Sequence, residues 1–154
     1  MDQVTYKWKD ADNADFRLFY KITEEYYNDI AGGLRNRKGF VPFNLSESIH
    51  DVLVAYVSCV AIACAGLKRY SDDDAEVKRV WVEPGYRGKH IASKIMDLIE
   101  EKAVQSGFKR TILQTREKMV AAVSLYKNRG YYPIDNYPPY DKLEGAVCFA
   151  KDLA

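Results

Sequence analysis

The chain has 154 residues, which at about 150 residues per domain is a single domain, 1–154, long enough to bury a core without staples. Its composition, 47% hydrophobic and 29% charged, excludes a disordered chain. The balance of 23 Lys plus Arg against 22 Asp plus Glu leaves +1, which excludes a polyanion binder driven by bulk positive charge.

At the amino terminus, Met1 to Lys7 shows no charged-then-apolar signal pattern, and Val4 to Trp8 alternates with the period of a strand. Asp12 or Asn13 can cap a helix carrying Phe16, Phe19, Tyr20 and Tyr27 down to Ile30, where Gly32-Gly33 stops it. Residues 35–48 have mixed charge and no period, and read as a loop. Val52 to Leu67 carries no charge over sixteen residues, fewer than the roughly 18 a spanning helix needs, and is too long for one strand. It reads as two buried strands, 52–57 and 60–68, turning near Ser58. The cluster Ser71-Asp72-Asp73-Asp74 is a turn, followed by a strand from Glu76 to Glu83 that ends at Pro84.

A helix opens near Lys89, with Ile91, Ile95, Leu98, Ile99 and Ala103 in one apolar stripe and Gly107 as its stop. Thr111 to Thr115 is a short strand. Met119, Ala122, Val123 and Tyr126 mark another helix, closed by Gly130. Late strands near Tyr131–Ile134 and Ala146–Lys151 flank a Pro- and Tyr-rich loop, Asn136 to Tyr140. The order β-α-loop-β-β-β-α-β-α-β-β predicts a mixed α/β sheet. Three cysteines, Cys59, Cys64 and Cys148, without CxxC spacing, point to reduced core residues and no metal site.

The strongest local chemistry lies between Pro84 and Ala92. A glycine-containing turn before a helix leaves the first backbone N–H groups pointing outward at the positive end of the helix dipole, a ready anion site. Arg87 and Lys89 add charge that can reach phosphate oxygens, Gly88 admits a bulky ligand and Ala92 keeps the first turn slim. Neither GxxxxGK[ST] nor GxGxxG is present. From these residues alone, an ordinary β-to-α connection with a solvated basic turn is the slightly favoured reading.

Glu76 to Pro84 with Tyr86-Arg87-Gly88-Lys89-His90-Ile91-Ala92 resembles the central motif of the GNAT superfamily of N-acetyltransferases, whose Q/R-x-x-G-x-G/A loop wraps the pyrophosphate of acetyl-coenzyme A. Ala122-Val123-Ser124-Leu125-Tyr126-Lys127-Asn128-Arg129-Gly130-Tyr131 resembles the family's later A-x-x-L-Y-x-x-x-G-[FY] segment. The similarity covers about residues 50–154. One departure is His90, which stands where the family has glycine.

The resemblance implies a GNAT-like fold, a central mixed sheet of about seven strands with about four helices. It implies acetyl-coenzyme A as co-substrate, no metal, and acetyl transfer to a primary amine of a small molecule by direct attack. A protein or peptide amine is the alternative acceptor, and a non-catalytic acyl-coenzyme A binding module is the alternative class. The cofactor would lie on Val80, Trp81, Val82, Arg87, Gly88, Lys89, His90, Ile91, Ala92, Ser93, Thr115 and Tyr126. Tyr126 corresponds to the family tyrosine that donates a proton to the departing thiolate. A tyrosine near pKa 10 can do this to a thiolate near about 8.5 only with help from its surroundings. Glu76 is the first choice of base, acting through a water, although pairing with Lys78 or Arg79 would weaken it. Tyr20, Tyr27, Glu76 and Tyr140 would meet the acceptor. A cytoplasmic protein is expected, with no nucleic-acid or membrane partner, in the homodimeric state that family members often adopt.

Overall fold

The structure is a computed structural model that describes residues 3–31 and 49–153, with the side chains of 26–31 outside that description. The expected loop 35–48, the Gly32-Gly33 stop and the side chain of Tyr27 therefore lie outside the described residues.

Eleven elements follow in order. They are β1 (Val4–Lys9), α1 (Ala14–Ala31), β2 (Asp51–Val57), β3 (Val60–Arg69), β4 (Asp74–Val82), a 3-10 turn (Pro84–Tyr86), α2 (Ile91–Gln105), β5 (Arg110–Arg116), α3 (Val120–Asn128), β6 (Tyr132–Ile134) and β7 (Ala146–Asp152). The strands form one seven-stranded sheet in the order β1-β2-β3-β4-β5-β7-β6. The expected strand count holds, and the described residues contain three α-helices where about four were expected. Asn13, of the two candidates, caps α1, its Oδ1 accepting the Phe16 N–H at 3.1 Å. The β2–β3 turn does fall at Ser58, with Ser58 and Cys59 both left-handed at φ 49° and 68°.

The core has two sides because the sheet is covered on both faces. The α2 stripe, Ile91, Ile95, Ile99 and Ala103 with Met96, packs on Leu67, Ala75 and Val77. On the opposite face, Phe16 and Phe19 of α1 pack on Val52, Val54 and Trp81.

Two irregularities in β4 open the sheet at its centre. The β3–β4 register shifts between Cys64, opposite Trp81, and Gly66, opposite Lys78, so β4 carries one extra residue. Arg79 takes it up with φ 56°, a β-bulge. Beyond the bulge the faces exchange. Val77, Val80 and Val82 all reach the α2 side, whereas Trp81 joins the α1 side. Second, β4 meets β5 in parallel at only three positions, Asp74 with Arg110, Ala75 with Thr111 and Glu76 with Ile112. β5 goes on to pair with β7 as far as Arg116, so β4 and β5 part after Glu76.

Candidate active site

Where β4 and β5 part, the end of β4, the turn into α2 and one face of α3 enclose a cleft of about 410 Å³. Ten of the expected cofactor residues line it: Val80, Trp81, Val82, Arg87, Gly88, His90, Ile91, Ala92, Ser93 and Tyr126. Among the described residues, β4 beyond Glu76 stays laddered to β3 but no longer to β5, and its last residues line the cleft.

The turn fits an anionic group. The first backbone bond of α2 runs from the Lys94 N–H to the His90 carbonyl at 3.1 Å, so the amides ahead of it have no helical acceptor. A Cβ built on Gly88, whose φ is 75°, would meet nothing within 4 Å, so the backbone there is open to a ligand. Arg87 is anchored at the mouth, its Nε donating to the Val82 carbonyl at 2.8 Å and its guanidinium lying 4.7 Å from the Trp81 ring centroid.

His90 is the N-cap of α2, with φ 64° and no side-chain capping bond. The residue that replaces glycine thus keeps the left-handed conformation that glycine favours. His90→Gly is expected to gain about 0.5 kcal/mol of stability, and His90→Val, β-branched, to lose about 2 kcal/mol. Urea denaturation of the two variants measures this; equal midpoints would mean the turn relaxes without strain.

Tyr126 is the buried residue of α3, 6% exposed. Its carbonyl accepts the N–H groups of Arg129 and Tyr131 at 3.1 and 3.0 Å, and its ring lies 5.7 Å from that of Tyr131. These contacts hold the ring at the cleft wall.

Two expected cofactor residues lie outside this lining. Lys89 is exposed, its Nζ 5.5 Å from the Tyr86 ring centroid. Thr115 is buried in β5 with its hydroxyl 3.8 Å from the Met119 sulfur. Conversely Tyr86, Met119, Ala121, Ala122 and Leu125 line the cleft although sequence reasoning gave them no cofactor role. For the α3 residues the signal was present, since Ala122 and Tyr126 stand at i and i+4 beside a second small residue.

Glu76 and Tyr140 sit in a separate cluster with Lys78 and Tyr137, while Tyr20 packs on Arg79. Glu76 is 2% exposed, accepts the Tyr137 hydroxyl at 2.8 Å and lies 4.0 Å from the Lys78 Nζ. Lys78 in turn donates to the Tyr140 hydroxyl at 2.7 Å. Burial pushes the Lys78 ammonium from its ordinary 10.5 down to about 8, against the pull of Glu76. Burial and then the Glu76 charge push the Tyr137 and Tyr140 hydroxyls well above their ordinary range. Arg79 faces α1, bonded to Thr23 at 3.1 Å and to Glu24, with the Tyr20 ring 3.9 Å from its guanidinium carbon. Tyr20 is thus half-buried against a cation, and Tyr140 is fully buried. Among the described residues, no cluster of three or more His, Cys, Asp or Glu could hold a metal, and no helix is long and apolar enough to cross a membrane.

Comparison with known proteins agrees with this geometry. The acetyltransferase (GNAT) family model matches residues 6–131. An IAA acetyltransferase of Azospirillum brasilense is 28% identical over 89 residues, 57% of this chain and 58% of that one. This chain spans about half the length of the curated relatives it matches, 58%, 42% and 45%. Among solved structures, a Klebsiella pneumoniae subsp. pneumoniae MGH 78578 chain described as an acyl-CoA N-acyltransferase superposes with a TM-score of 0.82 at 21% identity, covering 99% of both chains. The PaiA N-acetyltransferase of Thermoplasma acidophilum, solved with coenzyme A, gives 0.71 at 16% identity, covering 97% of this chain and 99% of that one. At these identities the structures establish the shared fold.

Proposed function

The chain belongs to the acetyltransferase (GNAT) family, and we propose that it transfers an acetyl group from acetyl-coenzyme A to a primary amine of a small molecule by direct attack. The observation that carries this reading is a single cleft lined by both the Arg87–Ser93 turn and Tyr126, opening where β4 leaves β5.

Acetyl-coenzyme A supplies an activated acyl group as a thioester. The amides of the first turn of α2, the helix dipole and Arg87 hold its negative charge. The stretch of β4 from Val80 to Val82, which lines the cleft, is proposed to meet the pantetheine arm and the carbonyl oxygen, where charge develops as the amine attacks. The nitrogen–carbon bond forms, the carbon–sulfur bond breaks, and the Tyr126 hydroxyl gives its proton to the leaving sulfur, while the proton the nitrogen sheds as the amide forms restores the tyrosine through solvent.

The amine must first lose a proton. Of the two carboxylates on β4, Asp74 is locked by Arg110 through bonds of 3.0 and 2.9 Å. Glu76 is the other, and we assign it the base role through a water. Tyr20, Tyr27 and Tyr140 are proposed to frame the acceptor, where aromatic faces suit a cation.

The test is release of free coenzyme A over a panel of small amines and a peptide with a free amino terminus. Turnover on a small amine is expected. Turnover on the peptide alone would move the acceptor to protein, and tight binding of coenzyme A without turnover would make the chain a binding module.

A further inference from the structure

The two walls of the cleft belong to different helices, α2 and α3. The first turn of α2 contributes Ser93 and α3 contributes Tyr126, with both residues lining the cavity. One side chain outside the cleft bridges them. Arg129, directly after α3, donates through Nη1 to the carbonyl of Ser93 at 3.1 Å. Its Nη2 donates to Asp97 Oδ1 at 2.7 Å and to Glu100 Oε1 at 3.2 Å, both on α2.

The same residue holds Tyr126 from the other end. Its backbone N–H donates to the Tyr126 carbonyl at 3.1 Å. Glu100, 8% exposed, completes the bridge. It accepts the Tyr131 hydroxyl at 3.1 Å through Oε2 and the Lys151 ammonium at 2.8 Å through Oε1. The Tyr131 hydroxyl also meets that of Thr111 at 2.9 Å, and its ring rests on Tyr126.

A charged residue with one-eighth of its side chain exposed and three acceptors on a neighbouring helix is more than a surface ion pair. Its planar fork is held in one geometry, bound to a peptide carbonyl and two carboxylates at once. Burial works to lower its pKa, but the bonds and charges of Asp97 and Glu100 outweigh that and raise it, so Arg129 itself keeps its charge.

We propose that Arg129 is a positioning residue, a clamp that sets the spacing of Ser93 and Tyr126 across the cleft and so the placing of coenzyme A against the Tyr126 hydroxyl. This rests on the acetyl-transfer reading for its kinetic consequence but not for its effect on binding. Without the clamp, the α3 wall is free to shift, and a displacement of about 1 Å far from the chemistry is enough for a large rate loss.

The experiment is a double-mutant cycle on the full chain, with Arg129→Met and Tyr126→Phe made singly and together. Coenzyme A affinity is read by calorimetry and kcat on the best amine of the panel. Arg129→Met is expected to weaken coenzyme A about 5-fold and lower kcat about 10-fold, with the kcat effect shrinking below about 2-fold in the Tyr126→Phe background. Arg129→Lys, which keeps the charge but cannot reach all three acceptors, should fall between. Unchanged affinity, or an equal loss of kcat in both backgrounds, would overturn the clamp. Should Arg129→Met fail to fold, Arg129→Lys takes its place in the cycle with the same criteria. If the wild-type chain turns over no amine, the acetyl-transfer reading fails, and the affinity series alone still decides the clamp.

Discussion

Tyr126→Phe is expected to lower kcat about 100-fold while leaving coenzyme A affinity within about 2-fold, because general-acid contributions are of that size and the change removes no packed carbon. The main chain and the ring face carry contacts that the change keeps. Arg129 and Tyr131 bind the Tyr126 carbonyl, and the Tyr131 ring supports its face. The cleft wall therefore keeps its shape in the variant, and a loss confined to kcat reads as a proton no longer delivered to the leaving sulfur. Steady-state kinetics with calorimetry of coenzyme A separates the two quantities. An unchanged kcat would remove Tyr126 from the chemistry, whereas equal losses in affinity and rate would make the hydroxyl a binding contact.

The legible part of the fold was the part governed by local pattern. The α2 stripe from Ile91 to Ala103 and the hydrophobic run split at Ser58 each follow from period and length, and the element order came out as expected. The glycine-containing turn into α2 was legible for the same reason, since Gly88 and the residues around it are contiguous in the chain.

The region around β4 was not, because it depends on a backbone irregularity. As a regular strand, Glu76-Val77-Lys78-Arg79-Val80-Trp81-Val82 would put Val80 and Val82 on the face of Glu76 and Lys78. The bulge at Arg79 resolves that conflict, sending three valines to α2 and collecting Glu76, Lys78, Arg79 and Trp81 on the other face. The break in alternation, Val77 then Val80 and Val82, was the signal available. The parting of β4 from β5 and the Arg129 clamp had none, since each depends on residues about 30 or more positions apart in sequence. Such contacts are set by tertiary packing rather than by neighbours in the chain.

Glu76 is where structural and chemical roles must be separated, and Glu76→Ala is expected to destabilise the fold by about 3 kcal/mol, the scale for breaking a buried charge pair. The change leaves the Lys78 ammonium, 6% exposed, without the carboxylate 4.0 Å away, and the Tyr137 hydroxyl without its acceptor. Urea denaturation measures the loss, and its pH dependence has a definite sign. Lys78 titrates at about 8 in the folded chain against an ordinary 10.5, so between those values the unfolded chain carries the extra proton and wild-type stability rises with pH from this group. As pH climbs through about 8, Lys78 loses the charge that Glu76 stabilises, and the gap between wild type and Glu76→Ala should narrow. A gap that widens there would mean Glu76 is not what holds the ammonium. Glu76→Gln then isolates the chemistry. It keeps an acceptor for Tyr137 but removes the charge beside Lys78, so it should cost about 2 kcal/mol, less than Glu76→Ala; it cannot take a proton, so a base role predicts a kcat loss of about 100-fold. A stable Glu76→Gln enzyme with full turnover would leave Glu76 as the anchor of the Lys78–Tyr140 cluster, with the amine losing its proton to water instead.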